Sequence, residues 1–394
     1  MNGMIYDLLV VGSGLYGAVV AQQAKEWGLR VLVLERRKEI GGNIRDEWQG
    51  DICVHRYGAH IFHTDSAEVW RYVNRFARFV PYRHEVLSRN GDRLYHLPFS
   101  MTTMNEVFGV STASELRKVM RREHERESYT HPENLEQQAV NLVGRTVYEL
   151  LIKGYTEKQW GRKATELPAD IIRRLPIRTT WDTNYFDDRY QGIPEQGYSA
   201  MIAEMLSGIE VRPGVDFRHE RDHWLRRARR TIYTGAVDEL MNYRLGTLDY
   251  RSLRFETETI ATSQYQPCAV VNEASADVPY TRTIEHRHFQ PPPNLPPKGR
   301  LTDHPIPPSL PQKGEEFRRS GSQTIITREY PTAWHRGEEA YYPVNNDRNN
   351  RLYREYQELI AQAYPRMMLG GRLGLYRYMD MDDAVEAALN FVCS

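Results

Sequence analysis

The sequence predicts an α/β protein, with a parallel-sheet unit at the front of the chain, a helical insert in the middle and an antiparallel sheet beyond it. Three observations predict this. A short apolar run at Tyr6–Val11 leads through a glycine turn and a helix-spaced stretch into a second apolar run at 30–34. The middle of the chain spaces its apolar residues at mixed intervals of three and four, the period of a helix face. Short strand-like stretches then recur between residues 231 and 328.

The first unit is the most explicit. An apolar run such as Tyr6–Val11 suits a parallel strand buried on both faces. It enters Gly12-Ser13-Gly14-Leu15-Tyr16-Gly17, residues 18–27 follow helical spacing, and RVLVL at 30–34 ends in Glu35, 18 residues past Gly17. Strand, glycine turn, helix, second strand and terminal acid form a Rossmann-like β-α-β unit. Its glycines permit a tight turn and close backbone approach to a pyrophosphate at the helix N-terminus, and the acid accepts a bond from a ribose hydroxyl. Arg36, Arg37 and a second glycine turn at Gly41-Gly42-Asn43 follow at once, which favours a whole FAD over NAD.

Helices are predicted over 134–152, 168–174 and 198–206, strands at 231–234, 257–261, 269–272 and 324–328, and helices again at 350–364 and 380–391. The last begins with Asp382 and Asp383 in its first turn, where negative charge suits the helix dipole. Between 290 and 311 stand nine of the chain's 21 prolines. That composition excludes helix and central strand and predicts an exposed, polyproline-like excursion over 290–320.

Composition bounds the function. The 394 residues carry 52 Lys plus Arg and 52 Asp plus Glu, a formal net charge of zero. A dedicated binder of nucleic acid or anionic membrane would need an excess of basic residues. Three scattered cysteines, Cys53, Cys268 and Cys393, suggest neither a disulfide framework nor a metal centre, so no metal is expected. No stretch of 18 apolar residues suggests a membrane span, and the chain runs from Met1 directly into a strand pattern; a cytoplasmic location is the expectation. Tyrosine is abundant, 25 against 11 Phe, and an apolar ring with a polar tip suits the wall of a polar-ligand cleft.

Several blocks together resemble the UDP-galactopyranose mutase family: GSGLYGAV (12–19), GGN (41–43), YGAHIFHT (57–64), KGYTEKQWG (153–161), IRRLPIRTTWDTNYF (172–186), YQGIPEQGY (190–198), YTRTIEHRHF (280–289), YYPVN (341–345) and GGRLGLYRYMDMD (370–382). The resemblance implies an isomerase that interconverts UDP-galactopyranose and UDP-galactofuranose and requires reduced FAD. In that family flavin N5 attacks the anomeric carbon, the sugar ring opens, and it recloses through a different oxygen. The competing readings are a flavin oxidoreductase of the amine-oxidase type and a catalytically inactive sugar-nucleotide binder.

It further implies roles for individual residues. Arg174 and Arg282 match the two diphosphate arginines, and His63 a residue beside the flavin; these three are the candidate catalytic residues. Gly12, Gly14, Leu15, Gly17, Glu35, Arg36, Gly42, Asn43, His60, Arg372, Asp380 and Met381 match the cofactor site. Tyr155 matches the residue that stacks on uracil, with Thr156 and Trp160 beside it. Tyr185, Phe186, Asn272, Tyr341, Tyr342 and Tyr378 match the rest of the substrate cleft, with either member of the Tyr341–Tyr342 pair able to point inward. Residues 161–179 resemble a mobile lid. Two positions depart from the family: His84, at a substrate-binding position, stands where relatives often have Asn, and Leu151 where some have Phe.

The implied fold is a Rossmann-like FAD-binding domain assembled from 1–80, 210–262 and 350–394. An inserted helical domain occupies 100–180, and an antiparallel β-sheet domain 81–99, 181–209 and 263–349. A homodimer acting on a small UDP-galactose substrate, without nucleic acid or membrane insertion, is the implied assembly.

Overall fold

The computed structural model describes residues 5–172, 177–289 and 322–391. Its first layer is a five-stranded sheet in the order Glu210–Pro213, Val31–Glu35, Tyr6–Val11, Ala228–Tyr233, Met367–Leu369. Every neighbouring pair in it is parallel. The apolar runs are explained by burial on both faces. Leu8, Val10 and Val33 face a core completed by Val19, Ile202 and Val385. Leu9, Leu32 and Leu34 face a second one with Phe217, Trp224, Tyr356 and Ile360. The helix Leu15–Glu26 crosses between the first two strands and packs against the last helix, Met381–Leu389.

The second sheet has seven strands: Tyr342–Pro343, Tyr250–Ile260, Thr324–Ala333, Arg282–Glu285, Val270–Glu273, Val86–Asn90 and Arg93–Leu97. It is antiparallel except where Val270–Glu273 lies parallel to Val86–Asn90. That pair joins segments far apart in the chain, and a parallel pairing needs a long crossover. The sequence reading assigned residues up to 262 to the cofactor domain. The structure corrects this boundary: Tyr250–Ile260 pairs along its length with Thr324–Ala333, from Arg251↔Ala333 to Ile260↔Thr324, and belongs to the larger sheet. A ladder that long outweighs proximity in sequence to Ala228–Tyr233.

Helices Met101–Phe108, Ala113–Arg126 and Leu135–Val147 pack Met104, Leu116, Val140 and Val143 into a third core, joined by Tyr148 and edged by Trp160 of helix Lys153–Trp160. The helix expected over 134–152 is interrupted. Asn134 caps it, but Gly144 leaves the helical region at φ 82°, where a Cβ would lie 2.8 Å from the Glu123 carboxylate. A wider turn then spans Tyr148–Ile152. Of the 168–174 prediction, a tight turn forms at Ala169–Ile172, and residues 173–174, with Arg174, lie outside the described residues. So does the proline-rich 290–320 segment. No helix among the described residues is long and apolar enough to cross a membrane.

Candidate active site

The twelve residues read as cofactor-binding, from Gly12 to Met381, all line one open cleft. Backbone geometry makes its floor. Gly12 has φ +108°, and a Cβ there would sit 2.1 Å from Thr234 Oγ1. A Cβ on Gly17 would come within 2.0 Å of the Gly12 carbonyl, and one on Gly42 within 2.8 Å of Gly14 Cα. Two glycine turns therefore meet backbone to backbone. Gly14 precedes the helix Leu15–Glu26 with no side-chain cap, so first-turn N–H groups stay available to an anion.

Glu35 ends the second strand with its carboxylate aligned by three protein donors. Oε2 accepts from Ser13 N (2.9 Å) and Ser13 Oγ (2.7 Å), and Oε1 from Arg37 N (2.9 Å). Arg36 pairs with Glu339 at 2.8 Å and Glu239 at 3.7 Å. Arg37, which the sequence reading left out of the site, donates from Nη2 to Asn43 Oδ1 (2.9 Å) and Glu339 Oε2 (3.0 Å). Its Nη1 is buried without a partner, and its guanidinium lies 4.5 Å over the Tyr57 ring.

At the opposite end stand His60, Arg372 and the start of the final helix. The His60 N–H donates to His55 Nδ1 (3.1 Å), while the Nδ1 of His60 itself is buried and unpartnered. Burial, then His55 and Arg372, pull its pKa down to about 3, so the ring is neutral near pH 7. Arg372 donates to the carbonyls of Met379 (2.5 Å) and Tyr341 (3.4 Å) and faces the rings of Tyr378 (5.1 Å) and Tyr342 (5.5 Å). Asp380 caps the final helix reciprocally with Asp383 and accepts from the Tyr378 hydroxyl at 3.0 Å.

Beyond Tyr342 lies a wall of phenols around Arg282. Arg282 Nη2 donates to Tyr155 Oη at 2.6 Å, and its Nε lies 3.3 Å from Glu329 Oε2. Burial opposes the arginine's charge, but Tyr155, Glu329 and Tyr342 outweigh it and keep the guanidinium protonated. Burial raises the pKa of Glu329, with Arg282 opposing. Asn272 stands directly across the ladder from Arg282, its Oδ1 buried and unpartnered. Tyr185 is partly exposed, its phenol in the field of Tyr155, Arg282, Asp380 and Arg178. Arg178 holds this stretch in place through the carbonyls of Asn184 and Tyr185.

The structure separates the adjacent tyrosines. Tyr342 stacks on Tyr378 at 6.0 Å and shares the field of Arg372 and Arg282. Tyr341 is buried against Tyr57 and Phe255. His84 and His63 both stack on Phe186, at 5.5 Å and 3.7 Å. His84 is buried with Nδ1 unpartnered; burial, then Arg282 and His63, lower its pKa to about 3. His63 is placed differently from the cavity residues: its Nδ1 pairs with Asp188 at 3.0 Å and it does not line the cleft. Thr156 is buried in its helix, and Trp160 packs against the helical core.

One trio among the described residues brings metal-capable atoms within 4.8 Å: Asp46, Cys53 and His55. Both Asp46 oxygens already accept backbone N–H groups, from Tyr198 and Ser199. His55 Nδ1 accepts from His60 N, which places the imidazole proton on Nε2, where a metal would need a lone pair.

Parallel sheet, glycine cradle and acid-terminated second strand define a Rossmann-like dinucleotide-binding protein, and a model of NAD(P)-binding Rossmann-like domains matches residues 10–76. The model of the UDP-galactopyranose mutase family matches residues 150–302 and 312–378. A probable UDP-galactopyranose mutase of Klebsiella pneumoniae is 35% identical over 388 residues, covering 97% of this chain and 93% of the relative. A dTDP-fucopyranose mutase of Escherichia coli is 32% identical over 391 residues, covering 97% and 96%. The chain belongs to the UDP-galactopyranose mutase family. Its fold is similar to that of a reduced UDP-galactopyranose mutase, with a TM-score of 0.66 at 13% identity over 97% of this chain and 94% of the other.

Proposed function

We propose that this protein interconverts UDP-galactopyranose and UDP-galactofuranose, with reduced FAD held in the glycine cradle. The observation that carries the reading is the junction of two sites. The Arg282–Tyr155 pair sits in a wall that continues through Tyr342 to Arg372, at one end of the dinucleotide cleft. The cradle fits FAD because Gly12, Gly17 and Gly42 leave no room for a Cβ, so that backbone lines the floor, and because polar atoms on Arg37 and His60 are buried without a partner.

The chemistry a reduced flavin supplies there is a nucleophile for the anomeric carbon. The chain's own residues do the rest. Arg282 holds a fixed positive charge against the diphosphate, which stabilises it as a leaving group. Tyr155 orients that guanidinium and offers its ring to the uracil, and Tyr185, Tyr342 and Tyr378 present hydroxyls to the phosphates. Neutral His60 can hydrogen-bond at the reacting end of the cofactor without adding charge. The family resemblance adds Arg174 as a second cation on a lid over 161–179, a homodimeric assembly and a cytoplasmic location.

The test is turnover of UDP-galactofuranose by dithionite-reduced enzyme, followed by chromatography. Oxygen consumption with oxidised flavin and no isomerisation would establish the oxidoreductase reading instead. UDP binding without turnover would establish the inactive binder. Because a dTDP-fucopyranose mutase is nearly as similar, the same assay is run with dTDP-fucopyranose. Faster turnover of that sugar would move the substrate and leave the mutase chemistry standing.

A further inference from the structure

Helix Lys153–Trp160 carries Tyr155, and strand Arg282–Glu285 carries the arginine that meets it, 127 residues later. Something must fix these two elements against each other. The segment joining Val270–Glu273 to Arg282–Glu285 runs directly under the helix. A Cβ on Gly154 would lie 2.2 Å from the Ala274 carbonyl and 3.1 Å from Ala276 N, so helix and loop backbones touch there. One turn further along the same helix face is Lys158. Its Nζ donates to three carbonyls of that loop: Glu273 (2.8 Å), Ser275 (2.7 Å) and Tyr280 (3.0 Å).

An ammonium has three donors, and all three are used on backbone acceptors that converge on one point. The acceptors bracket the loop: the strand residue just before it, its second residue and the residue two before Arg282. The far end of the helix is anchored as well, by Arg251 Nε on the Gln159 carbonyl at 2.9 Å. Lys158 touches neither the cleft nor the Tyr155–Arg282 contact.

We propose that Lys158 is a positioning residue for the nucleotide-diphosphate site: it clamps the 274–281 loop to the Tyr155 helix and so sets where Arg282 points. The inference rests on the substrate reading above. A lysine at this place is needed for direction as much as for charge. The planar fork of an arginine cannot aim its donors at three carbonyls that converge on one point.

The test uses FAD-loaded wild type, K158M, K158A and R282M at pH 7. In K158M, bound FAD and amide exchange in the Leu15–Glu26 helix are expected to match wild type, while exchange rises across 274–282. UDP affinity by calorimetry is expected to fall roughly 10- to 50-fold, the equivalent of about one charge-assisted hydrogen bond. K158M/R282M should bind UDP no more weakly than R282M alone, because the lysine acts through the arginine. Propylammonium should restore part of the K158A loss, and tetramethylammonium, which has no N–H, should not. Unchanged exchange at 274–282, losses that add in the double variant, or equal rescue by both amines would overturn the proposal. Failure of wild type to bind UDP would remove the substrate reading, and the exchange result would then decide the clamp by itself.

Discussion

Two glycines of the cradle, three residues apart, should fail in different ways when replaced by alanine. Gly14 has φ −67° and ψ 177°, which suits any residue, and a Cβ there meets nothing closer than Gly42 Cα at 3.8 Å. Gly14→Ala should therefore leave the apoprotein almost untouched. The poorer helix start costs about 0.5–1 kcal/mol, and the stiffer unfolded chain offsets about as much. The methyl group, however, enters the cleft where a pyrophosphate would approach the first-turn N–H groups. Losing one or two charge-assisted hydrogen bonds there costs roughly 2–3 kcal/mol, or about 30- to 150-fold in FAD affinity. Gly17→Ala places its Cβ 2.0 Å from a backbone oxygen and 3.2 Å from Val10 Cγ1. Only separation of helix from strand relieves that contact, at a cost of about 3 kcal/mol or more in the apoprotein itself. Calorimetry of apoprotein and FAD titration separate the two. Wild-type FAD affinity in Gly14→Ala, or equal apoprotein melting losses in both variants, would refute the assignment of phosphate approach to Gly14 and packing to Gly17.

R282M should abolish turnover with FAD retained and destabilise the protein by about 3–5 kcal/mol, because the buried Glu329 loses its partner. R282M/E329Q should recover much of that stability in urea unfolding but none of the activity. Tyr155→Phe keeps the ring and removes the acceptor for Arg282; KM for the UDP-sugar should rise about fivefold, with a smaller change in kcat. His55, His60 and His84 are pushed down to about 3 by burial, and His286 is also lowered well below its usual value. The unfolded chain takes up those protons near pH 6.5, while the folded one takes up those of His55, His60 and His84 only at about pH 3 and that of His286 only well below pH 6.5. Stability should therefore fall as pH drops below about 6.5, by up to about 1.4 kcal/mol per histidine per pH unit. His84→Asn should make that slope shallower by one proton, and a flat stability from pH 7 to 5.5 would refute the argument.

What was legible in the sequence was what neighbouring residues decide together. Tyr6–Val11 and the glycine turn are read from side-chain size over a dozen residues, and the structure places the strand at the same bounds. What was not legible depends on partners brought from a distance. Gly144 breaks a helix that periodicity runs straight through, because Glu123 occupies the space a side chain would need. Tyr250–Ile260 changes sheets because its ladder partner, Thr324–Ala333, arrives only beyond the proline-rich segment. Glu329 and Lys158 carry no local mark: one is an acid in a strand, the other a lysine in a helix. Their meaning lies in Arg282, which reaches the first at 3.3 Å and depends on the loop held by the second.

The neutral overall charge is likewise decided locally. Arg36, Arg37 and Arg218 all stand at one end of the cleft and are answered by Glu239, Glu339 and Asp216. Arg372, at the other end, gives its hydrogen bonds to carbonyls, which are dipoles without net charge. Arg282 meets a carboxylate, but burial raises the pKa of that carboxylate, and its Nη2 turns to a phenol instead. Positive charge is therefore tied up in ion pairs near Glu35, whereas at the far end, where Asp380 and Glu329 also stand, Arg372 and Arg282 give their hydrogen bonds to neutral partners. A diphosphate meeting that far end would find in Arg282 a guanidinium whose Nη2 is held by a phenol and whose carboxylate neighbour is weakened by burial, which is the arrangement the mutase reading requires.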